Sequence, residues 1–251
     1  MKISSRQAIL AAMAGITDSS FGSEIYNIGY VGKLTLGGYP IGKSMIIASK
    51  SAVNRGRTEF ILQENLEAVY ISKELEKLPS EADIIINLRI NDPEETKRFI
   101  NHLSSIVFSK PIIEINAHCQ QIEFMKKGGG QYLLKRLPVL EKIIMIIQRS
   151  DFCTSLKIRG NAVIPRKFIQ IVNKWNLDYL HIDSYTRGKE GADLTLLKEF
   201  VSHSNVSIIG NNSVVCADSA KAILQTGAEF FSVARAARKD KSIFKAIINH
   251  Y

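Results

Sequence analysis

Short apolar runs rich in Ile, Val and Leu recur along the chain, and longer stretches with helical periodicity separate them. A short apolar run between turn residues is typical of a buried strand, and apolar residues at every third or fourth position are typical of a helix. The pattern therefore predicts repeated strand–helix units around a parallel sheet. The predicted strands are residues 10–14, 31–36, 84–88, 112–116, 155–158, 179–182, 207–210 and 230–234.

Capping residues mark the helices between these strands. Asp92, Pro93 and Glu95 occupy the N-cap, first and third positions of one predicted helix, and Gly227 ends another. The stretch 41–78 is longer than one connection requires, so the sequence predicts two helices there with a turn at "NRGR". The glycines of "KKGGGQ" predict a flexible hinge before the next helix.

Eight such units in 251 residues predict a (β/α)8 TIM barrel that forms a single domain over residues 1–251. The alternative is an open doubly wound sheet, which usually has a G-x-G-x-x-G turn after its first strand. The sequence "AAMAGITDSSFG" does not have that spacing. In a barrel the active site lies at the C-terminal ends of the strands.

Composition restricts the predicted location and the possible binding partners but does not indicate a specific function. No apolar run approaches the roughly 18 residues of a membrane span, and the start of the chain lacks a signal-peptide pattern, which predicts a cytoplasmic protein without a membrane partner. The spacing of the three cysteines suits neither a zinc site nor a disulfide framework, and no metal site is predicted. The net charge of +9 favours phosphate-rich partners, although a generally basic surface explains it equally well.

Four successive predicted strands each end with an inward polar side chain. Side chains alternate along a strand, so His181 in "YLHID" and Lys157 in "SLKIRG" face the barrel interior. Asn87 and Asn116 end the two preceding strands. Each of the four alone is compatible with a rim residue, but together they predict a site, and an unpaired lysine is rarely buried.

The last two strands predict a phosphate site. Gly210 in "IIGNNS" lets backbone N–H groups approach a ligand, and Arg235 follows strand eight in "FFSVARAARKD". Barrels often hold a phosphoryl group with the loops after strands seven and eight. The alternative interpretation is a tight turn followed by a solvated basic helix face.

A single thiol follows the fourth predicted strand. "IEINAHCQQ" places Cys119 among polar residues, which raises the question of whether the thiol reacts with a substrate. A free cysteine is usually a small buried hydrophobe, so packing is the alternative interpretation.

These motifs, in this order between residues 11 and 239, resemble the tRNA-dihydrouridine synthase family of FMN-dependent TIM barrels. "AAMAGITDSSF" resembles A-P-M-A-G-V-T-D-x-x-F, "EINAHC" resembles D-I-N-x-G-C, "LKIRG" resembles V-K-I-R-x-G, and "IIGNNS" with "VARAAR" resembles I-G-N-G-D with I-G-R-G. His118 and Gln120 replace the family's glycine and proline around the cysteine. The chain also resembles a short archaeal branch that lacks the C-terminal helical tRNA-binding domain.

The resemblance implies an FMN-dependent oxidoreductase that acts on CH–CH bonds, with NAD(P)H as electron donor. Reduced flavin would pass hydride to a uracil ring, Cys119 would donate the proton, and Lys157 and His181 would complete the catalytic set. Asn116 and His118 would bind the substrate, a tRNA or a small pyrimidine. The implied FMN contacts are Ala12, Met13, Ala14, Asn87, Lys157 and His181 at the ring, and Gly210, Asn211, Ala234 and Arg235 at the phosphate.

Two alternatives stay open at this point. One is a flavin oxidoreductase similar to dihydroorotate dehydrogenase that acts on a small molecule. The other is a flavin-free barrel that acts as a binding protein, which the altered "AHCQ" and "GNN" loops favour. The sequence determines neither the substrate nor the oligomeric state.

Overall fold

The strands of the protein close into one parallel barrel in the computed structural model, which describes residues 2–250. Eight strands pair in sequence order, and the eighth pairs with the first. Every one of these pairings is parallel, as strand–helix repeats require. The predicted (β/α)8 TIM barrel is therefore confirmed.

The elements follow one another in the order expected of such a barrel. The strands are β1 (Ala8–Leu10), β2 (Lys33–Pro40), β3 (Asp83–Arg89), β4 (Ile112–Ala117), β5 (Thr154–Arg159), β6 (Tyr179–Asp183), β7 (Ser207–Asn211) and β8 (Phe230–Val233). The helices are α1 (Ser19–Ile28), α2 (Lys43–Asn54), α3 (Glu67–Leu75), α4 (Pro93–Ile106), α5 (Ile122–Lys126), α6 (Leu137–Gln148), α7 (Pro165–Val172), α8 (Leu194–Val201), α9 (Ala217–Leu224), α10 (Arg235–Lys239) and α11 (Ile243–Ile248). Short 3-10 helices cover Ser5–Gln7, Gly130–Lys135 and Gly160–Ala162.

All eight predicted strands are present, but the first is displaced toward the N-terminus. It was predicted for residues 10–14, whereas β1 ends at Leu10. The chain turns instead at Met13, whose carbonyl oxygen accepts hydrogen bonds from the N–H groups of Ile16 and Thr17 at 3.0 Å. Small apolar residues are compatible both with a strand and with a tight, partly exposed turn, which explains the error.

The predicted helix boundaries hold best where a capping side chain specifies them. Asp92 is the N-cap of α4 and accepts a hydrogen bond from the Glu95 N–H at 2.9 Å, with Pro93 at the first position. Gly227 lies just beyond α9 and has a φ of 97°, which only glycine adopts without strain. The two helices predicted over residues 41–78 are present as α2 and α3, and α2 ends within "NRGR" in a turn at Arg55 and Gly56, but the connection to α3 extends over residues 55–66.

Alternation along the strands separates two apolar regions. Outward residues such as Leu180 and Ile182 belong to the large core between strands and helices. Inside the barrel a separate cluster of Ile9, Ile85 and Ile209 closes its lower end, near the start of the strands. The polar residues of the interior therefore have to lie above this cluster.

Other sequence expectations concern cysteines and boundaries. All three cysteines are free. Within residues 2–250 no helix is both long and apolar enough to cross a membrane, and the cytoplasmic location stays a prediction. The predicted domain begins at Met1 and ends at Tyr251, and both of these residues lie outside the described range.

Candidate functional site

Polar side chains occupy the upper half of the barrel interior, toward the C-terminal ends of the strands. On β4, Ile112 packs against the apolar cluster at the lower end, and Glu114 and Asn116 follow on the same side of the strand. β6 has the same order, with Tyr179 against the cluster and His181 above it. The period of two along a strand produces this change from apolar to polar.

Glu114 lies at the centre of the buried polar residues and has no exposed surface. Its Oε1 accepts a hydrogen bond from Asn87 Nδ2 at 2.7 Å, and its Oε2 accepts from His181 Nδ1 at 2.7 Å and from Ser155 Oγ at 3.2 Å. Burial acts to raise the pKa of Glu114, but the bonds from His181 and Asn87 and the charge of Lys157 outweigh it and lower the pKa to about 2. Glu114 is therefore ionised at neutral pH.

His181 is fully buried, and the protein itself occupies both of its ring nitrogens. Because ionised Glu114 can only accept, Nδ1 carries the proton, and Nε2 accepts from Ser232 Oγ at 2.8 Å. Burial and the charge of Lys157 lower the pKa of His181, so the ring is neutral. Ser232 in turn accepts a hydrogen bond from Asn211 Nδ2. This chain links the barrel centre to the end of β7.

A second chain of hydrogen bonds runs from Glu114 to the loop after β4. Asn87, which donates to Glu114, accepts a hydrogen bond from Asn116 Nδ2 at 2.9 Å. Asn116 Oδ1 then accepts from the backbone N–H groups of His118 at 3.2 Å and Cys119 at 3.0 Å. Buried amide side chains thus fix the position of the loop that presents His118.

His118 and Asp183 form a hydrogen-bonded pair at the top of the barrel. The distance from His118 Nε2 to Asp183 Oδ2 is 2.6 Å, and Arg159 Nη2 lies 3.5 Å from the same oxygen. Burial acts to raise the pKa of Asp183, but the hydrogen bond from His118 and the charges of Arg159 and Lys157 lower it. Asp183 is therefore ionised and accepts a hydrogen bond from the Nε2–H group of His118.

The second nitrogen of His118 is available to a ligand. Burial lowers the pKa of His118, and the charges of Lys157 and Arg159 add to this effect against the opposing influence of Asp183. The ring is neutral at pH 7, and its Nδ1 has no hydrogen bond to residues 2–250. The His118 side chain is 26% exposed and lines a cavity of about 860 Å³. The His118 side chain, with its unbonded Nδ1, thus lines a space that a substrate can enter.

This mouth cavity carries a strong positive charge. Its only acidic lining residue in the described chain is Glu59, which is buried in an ion pair with Arg89. Arg55, another lining residue, pairs with Glu123 at 2.5 Å. The arginines that line the cavity are Arg55, Arg57, Arg89, Arg159, Arg235 and Arg238. Arginine in such numbers favours a ligand with several negative charges.

A second cavity of about 650 Å³ lies where β7 and β8 end. Asn211, Asn212, Ser213 and Lys239 line it, and Arg235 lines both this cavity and the mouth cavity. Gly210 on β7 does not line this cavity. A Cβ at this position would stand 2.4 Å from Ile223 Cγ2 of α9. The close packing of strand on helix therefore explains this glycine.

The structure brings most of the predicted site residues to these two cavities. Those at the mouth cavity are Ala12, Met13, Ala14, Asn87, Asn116, His118, Cys119 and Arg235, and those at the second cavity are Asn211, Ala234 and Arg235. Lys157, His181 and Gly210 line neither cavity. The functional roles assigned to all of these residues stay predictions.

Cys119 lies at the edge of the mouth cavity but is mostly packed. It is 7% exposed and forms a small apolar cluster with Met45, Ala48, Ala52 and Phe124. Below it, Gly130 has a φ of 56°, and a Cβ there would stand 2.4 Å from the Cys119 carbonyl oxygen. The neighbours of Cys119 along the chain are polar, but the residues that its side chain packs against are apolar.

Sequence reasoning left several central residues out of the predicted site. Glu114, Arg159 and Asp183 share strand faces with Asn116, Lys157 and His181, so alternation could have found them. No local pattern indicates the Glu59–Arg89 pair, because Glu59 comes from the long segment between α2 and α3.

Comparison with known proteins supports the fold more than an activity. No model of a known protein family matches the chain. A chain of the tryptophan synthase complex from Pyrococcus furiosus is 15% identical with a TM-score of 0.62, covering 97% of this chain and 95% of that one. A mutant tryptophan synthase alpha subunit from the same organism has a TM-score of 0.60 at 15% identity, covering 97% and 95%. FabK from Thermotoga maritima has a TM-score of 0.56 at 11% identity, covering 92% and 61%.

The resemblance to the tRNA-dihydrouridine synthases is wrong. The solved structures that share this barrel include tryptophan synthase alpha subunits instead. The predicted function, an FMN-dependent oxidoreductase acting on CH–CH bonds, is therefore also wrong, and so are the predicted cofactors FMN and NAD(P)H. The dihydroorotate-dehydrogenase-like and flavin-free alternatives fit these comparisons no better. Every barrel strand ends at the same opening, so short polar motifs can recur in the same order in barrels of different function.

The buried residues also fit a flavin poorly. His181, expected at the flavin ring, has no exposed surface and both nitrogens bonded within the protein. Asn87, also expected there, is fully buried, and its amide bonds to Glu114 and Asn116. Both side chains hydrogen-bond within the barrel interior, and only Asn87 of the two also lines the mouth cavity.

One curated relative resembles the chain over most of its length. It is the "Uncharacterized protein MJ0144" of Methanocaldococcus jannaschii, 34% identical over 236 residues, which cover 92% of this chain and 88% of that protein. At this identity and coverage, the chain belongs to the same family as MJ0144.

Proposed function

We propose that this protein is a lyase that moves a proton on a small phosphorylated substrate at the barrel mouth. The observation that carries the proposal is the neutral His118, held by Asp183 at 2.6 Å, on the wall of an arginine-rich cavity. The neighbouring cavity at β7 and β8 supplies the place for the phosphate.

His118 has the three properties that a general base needs. Its Nδ1 is free, its lowered pKa keeps it unprotonated at neutral pH, and Asp183 fixes the ring through Nε2. When Nδ1 takes a proton from the substrate, the ring becomes a cation beside the ionised carboxylate of Asp183. That attraction stabilises the charged ring while the reaction proceeds.

The arrangement of the two cavities supports a phosphorylated substrate. Arg235 lines both, so a molecule whose phosphate lies among Asn212, Ser213 and Lys239 extends past Arg235 toward the mouth. Phosphoryl groups commonly bind at this end of barrels. Excess positive charge at the mouth then attracts the rest of an anionic molecule.

The likeness to tryptophan synthase alpha subunits supports the reaction class. Those proteins share the barrel, and the name synthase denotes an enzyme that forms the named product. Proton transfer by a positioned histidine serves such a reaction directly. The expected partners, a tRNA or a small pyrimidine, stay a prediction.

The experiment is a search for turnover by ³¹P NMR with phosphorylated sugars, phosphorylated hydroxy acids and uridine 5′-phosphate. His118→Asn removes the base but keeps a polar side chain, so turnover of any substrate found should fall by about 10² to 10⁴ while its affinity stays near that of the parent. Equal turnover in His118→Asn would remove His118 from the mechanism. Failure to bind any phosphorylated compound would overturn the proposal itself.

A matched pair of arginine variants tests the phosphate site. Arg235→Gln should weaken the binding of glycerol 3-phosphate, measured by calorimetry. Arg149→Gln removes the same charge from the exposed end of α6, at the opposite side of the barrel, and should leave binding unchanged. Equal losses in both variants would show that net charge, and not a built site, attracts the phosphate.

A further inference from the structure

Lys157 is a buried amine that the proposed proton transfer does not use. It lies on β5, in register with Asn116 of β4 and His181 of β6, and is 6% exposed. Within residues 2–250 its Nζ makes no hydrogen bond or ion pair. A lysine is almost never buried in this way unless it has a partner, so the position calls for a chemical explanation.

The small exposed part of Lys157 can open only toward the barrel mouth. Ile9, Ile85 and Ile209 close the lower end of the interior. Beside Lys157, its register partner Asn116 lines the mouth cavity, as does His118 on the loop that follows β4. Lys157 itself lines neither cavity, so the reacting group of a substrate has to pass Asn116 and His118 at the mouth to reach the amine.

We propose that the Lys157 amine forms an imine with a carbonyl group of the substrate, which makes the substrate a phosphorylated aldehyde or ketone. This inference rests on the proposed function and deepens it by naming the reacting group. An unpaired amine removed from water favours imine chemistry, since an ammonium group held in an ion pair has no lone pair to attack with.

The step balances without an oxidant or a reductant. The Nζ lone pair attacks the carbonyl carbon, and the carbonyl oxygen takes up a proton to give a carbinolamine. That oxygen then leaves as water while nitrogen loses its proton and forms the C=N bond. In this step His118 delivers and removes the protons, and hydrolysis by one water molecule later restores the free amine.

The imine explains why the site combines an amine with a base. A protonated C=N group withdraws electrons from the neighbouring carbon more strongly than a carbonyl group does. His118 can then remove a proton from that carbon, or from a hydroxyl group one carbon further away, and the second route breaks a carbon–carbon bond. The substrate class is therefore a phosphorylated hydroxy aldehyde or hydroxy ketone.

The surroundings of Lys157 support reaction near neutral pH. Burial lowers its pKa and outweighs the attraction of Glu114 on β4 and Asp183 on β6. The other titratable groups of this interior are His181 on β6, Arg159 on β5 and His118 above them, and both histidines have lowered pKa values and are neutral. A larger fraction of Lys157 is therefore unprotonated than of an exposed lysine, whose pKa is about 10.4.

Trapping with borohydride tests the inference. The full chain is incubated with dihydroxyacetone phosphate or glyceraldehyde 3-phosphate and sodium borohydride, which reduces an imine to a stable secondary amine. Intact-mass and peptide mass spectrometry should find one reduced probe per chain, attached at Lys157. Excess inorganic phosphate should slow the labelling, and labelling should persist well below the pH at which exposed lysines react.

Three variants separate chemistry from charge and folding. Lys157→Arg keeps the cation and Lys157→Met keeps the packing, and both should lose the adduct. Lys174→Arg changes an exposed lysine that follows α7 at the opposite end of the barrel, and it should be labelled like the parent protein. An adduct that persists in Lys157→Arg would place the reaction at another lysine and overturn the inference.

Calorimetry with the same two probes distinguishes a failure of the imine proposal from a failure of the proposed function. If a probe binds the parent protein and Arg235→Gln weakens the binding, but neither probe gives an adduct at Lys157, the imine is overturned and the phosphate site stands. If neither probe binds, the proposed function and the inference fall together.

Discussion

The two ends of the barrel interior differ in what their side chains require. At the lower end, Ile9, Ile85 and Ile209 pack together, and the rings of Tyr179 and Phe230 meet edge to face at a centroid distance of 5.8 Å. These contacts need no hydrogen-bond partners. At the upper end the interior is filled by amides, carboxylates, histidines and one lysine, most of which hold one another in fixed positions.

The difference shows which part of the interior stabilises the fold and which part is specialised for chemistry. Burial of apolar surface at the lower end contributes favourably to folding. At the upper end each buried polar group has lost water, and hydrogen bonds within the network only offset that cost. Glu114 and Lys157 are buried there at the largest cost, so they are the residues for which a functional role should be tested first.

The largest expected effect comes from removing the centre of the polar network. Glu114→Ala leaves His181, Asn87 and Ser155 without their buried acceptor, which should lower the free energy of unfolding by about 3–5 kcal/mol. Urea denaturation measures it. Glu114→Gln keeps the shape and one acceptor and should cost less. A cost below about 1 kcal/mol for Glu114→Ala would show that the network is solvated and loosely coupled.

A cavity at the lower end should affect stability alone. Ile85→Ala removes apolar contacts with Ile9 and Ile209 and should cost about 2–5 kcal/mol, toward the lower part of that range if the neighbours relax. The binding of glycerol 3-phosphate, measured well below the melting temperature, should stay that of the parent protein. A loss of binding in Ile85→Ala would mean that the two ends of the interior are not independent.

The upper end should also make stability depend on pH. The pKa values of His118 and His181 are lowered in the folded state, so below about pH 6.5 the unfolded chain takes up protons that the folded chain does not, and stability falls. Glu114 has a pKa of about 2 in the folded state and 4.5 in the unfolded state. Stability should therefore fall further as the pH decreases from about 4.5 to about 2.

Urea midpoints between pH 8 and pH 5 check this expectation. His118→Asn should flatten part of the decline, whereas Ile85→Ala should shift the whole curve without changing its shape. If Ile85→Ala flattened the decline as His118→Asn does, the pH dependence would not belong to the upper end.

The smallest expected effect is at the rim. Arg235 is exposed and lines both cavities, so Arg235→Gln should weaken the binding of glycerol 3-phosphate by about tenfold, which corresponds to about 1.4 kcal/mol. Because the side chain is exposed, its loss should change the free energy of unfolding by less than about 0.5 kcal/mol. A large loss of stability would place Arg235 in the structural framework.

The sequence by itself determined the barrel and the direction of its side chains. Alternating apolar runs and helical stretches specify eight strands, since each strand has to bury one face against helices. The same period of two placed Lys157 and His181 inside the barrel. Capping residues such as Asp92 fixed helix ends because their hydrogen bonds are made within a few residues.

Only the tertiary structure decided which polar groups meet. His118 and Asp183 are 65 residues apart in the chain, and Glu59 reaches Arg89 from a segment whose path no local pattern specifies. The sequence shows that Cys119 has polar neighbours along the chain, whereas the fold packs the thiol against Met45 and Phe124. Hydrogen bonds, ion pairs and pKa values depend on distances in space, and closing the barrel sets those distances between strands that the sequence keeps far apart.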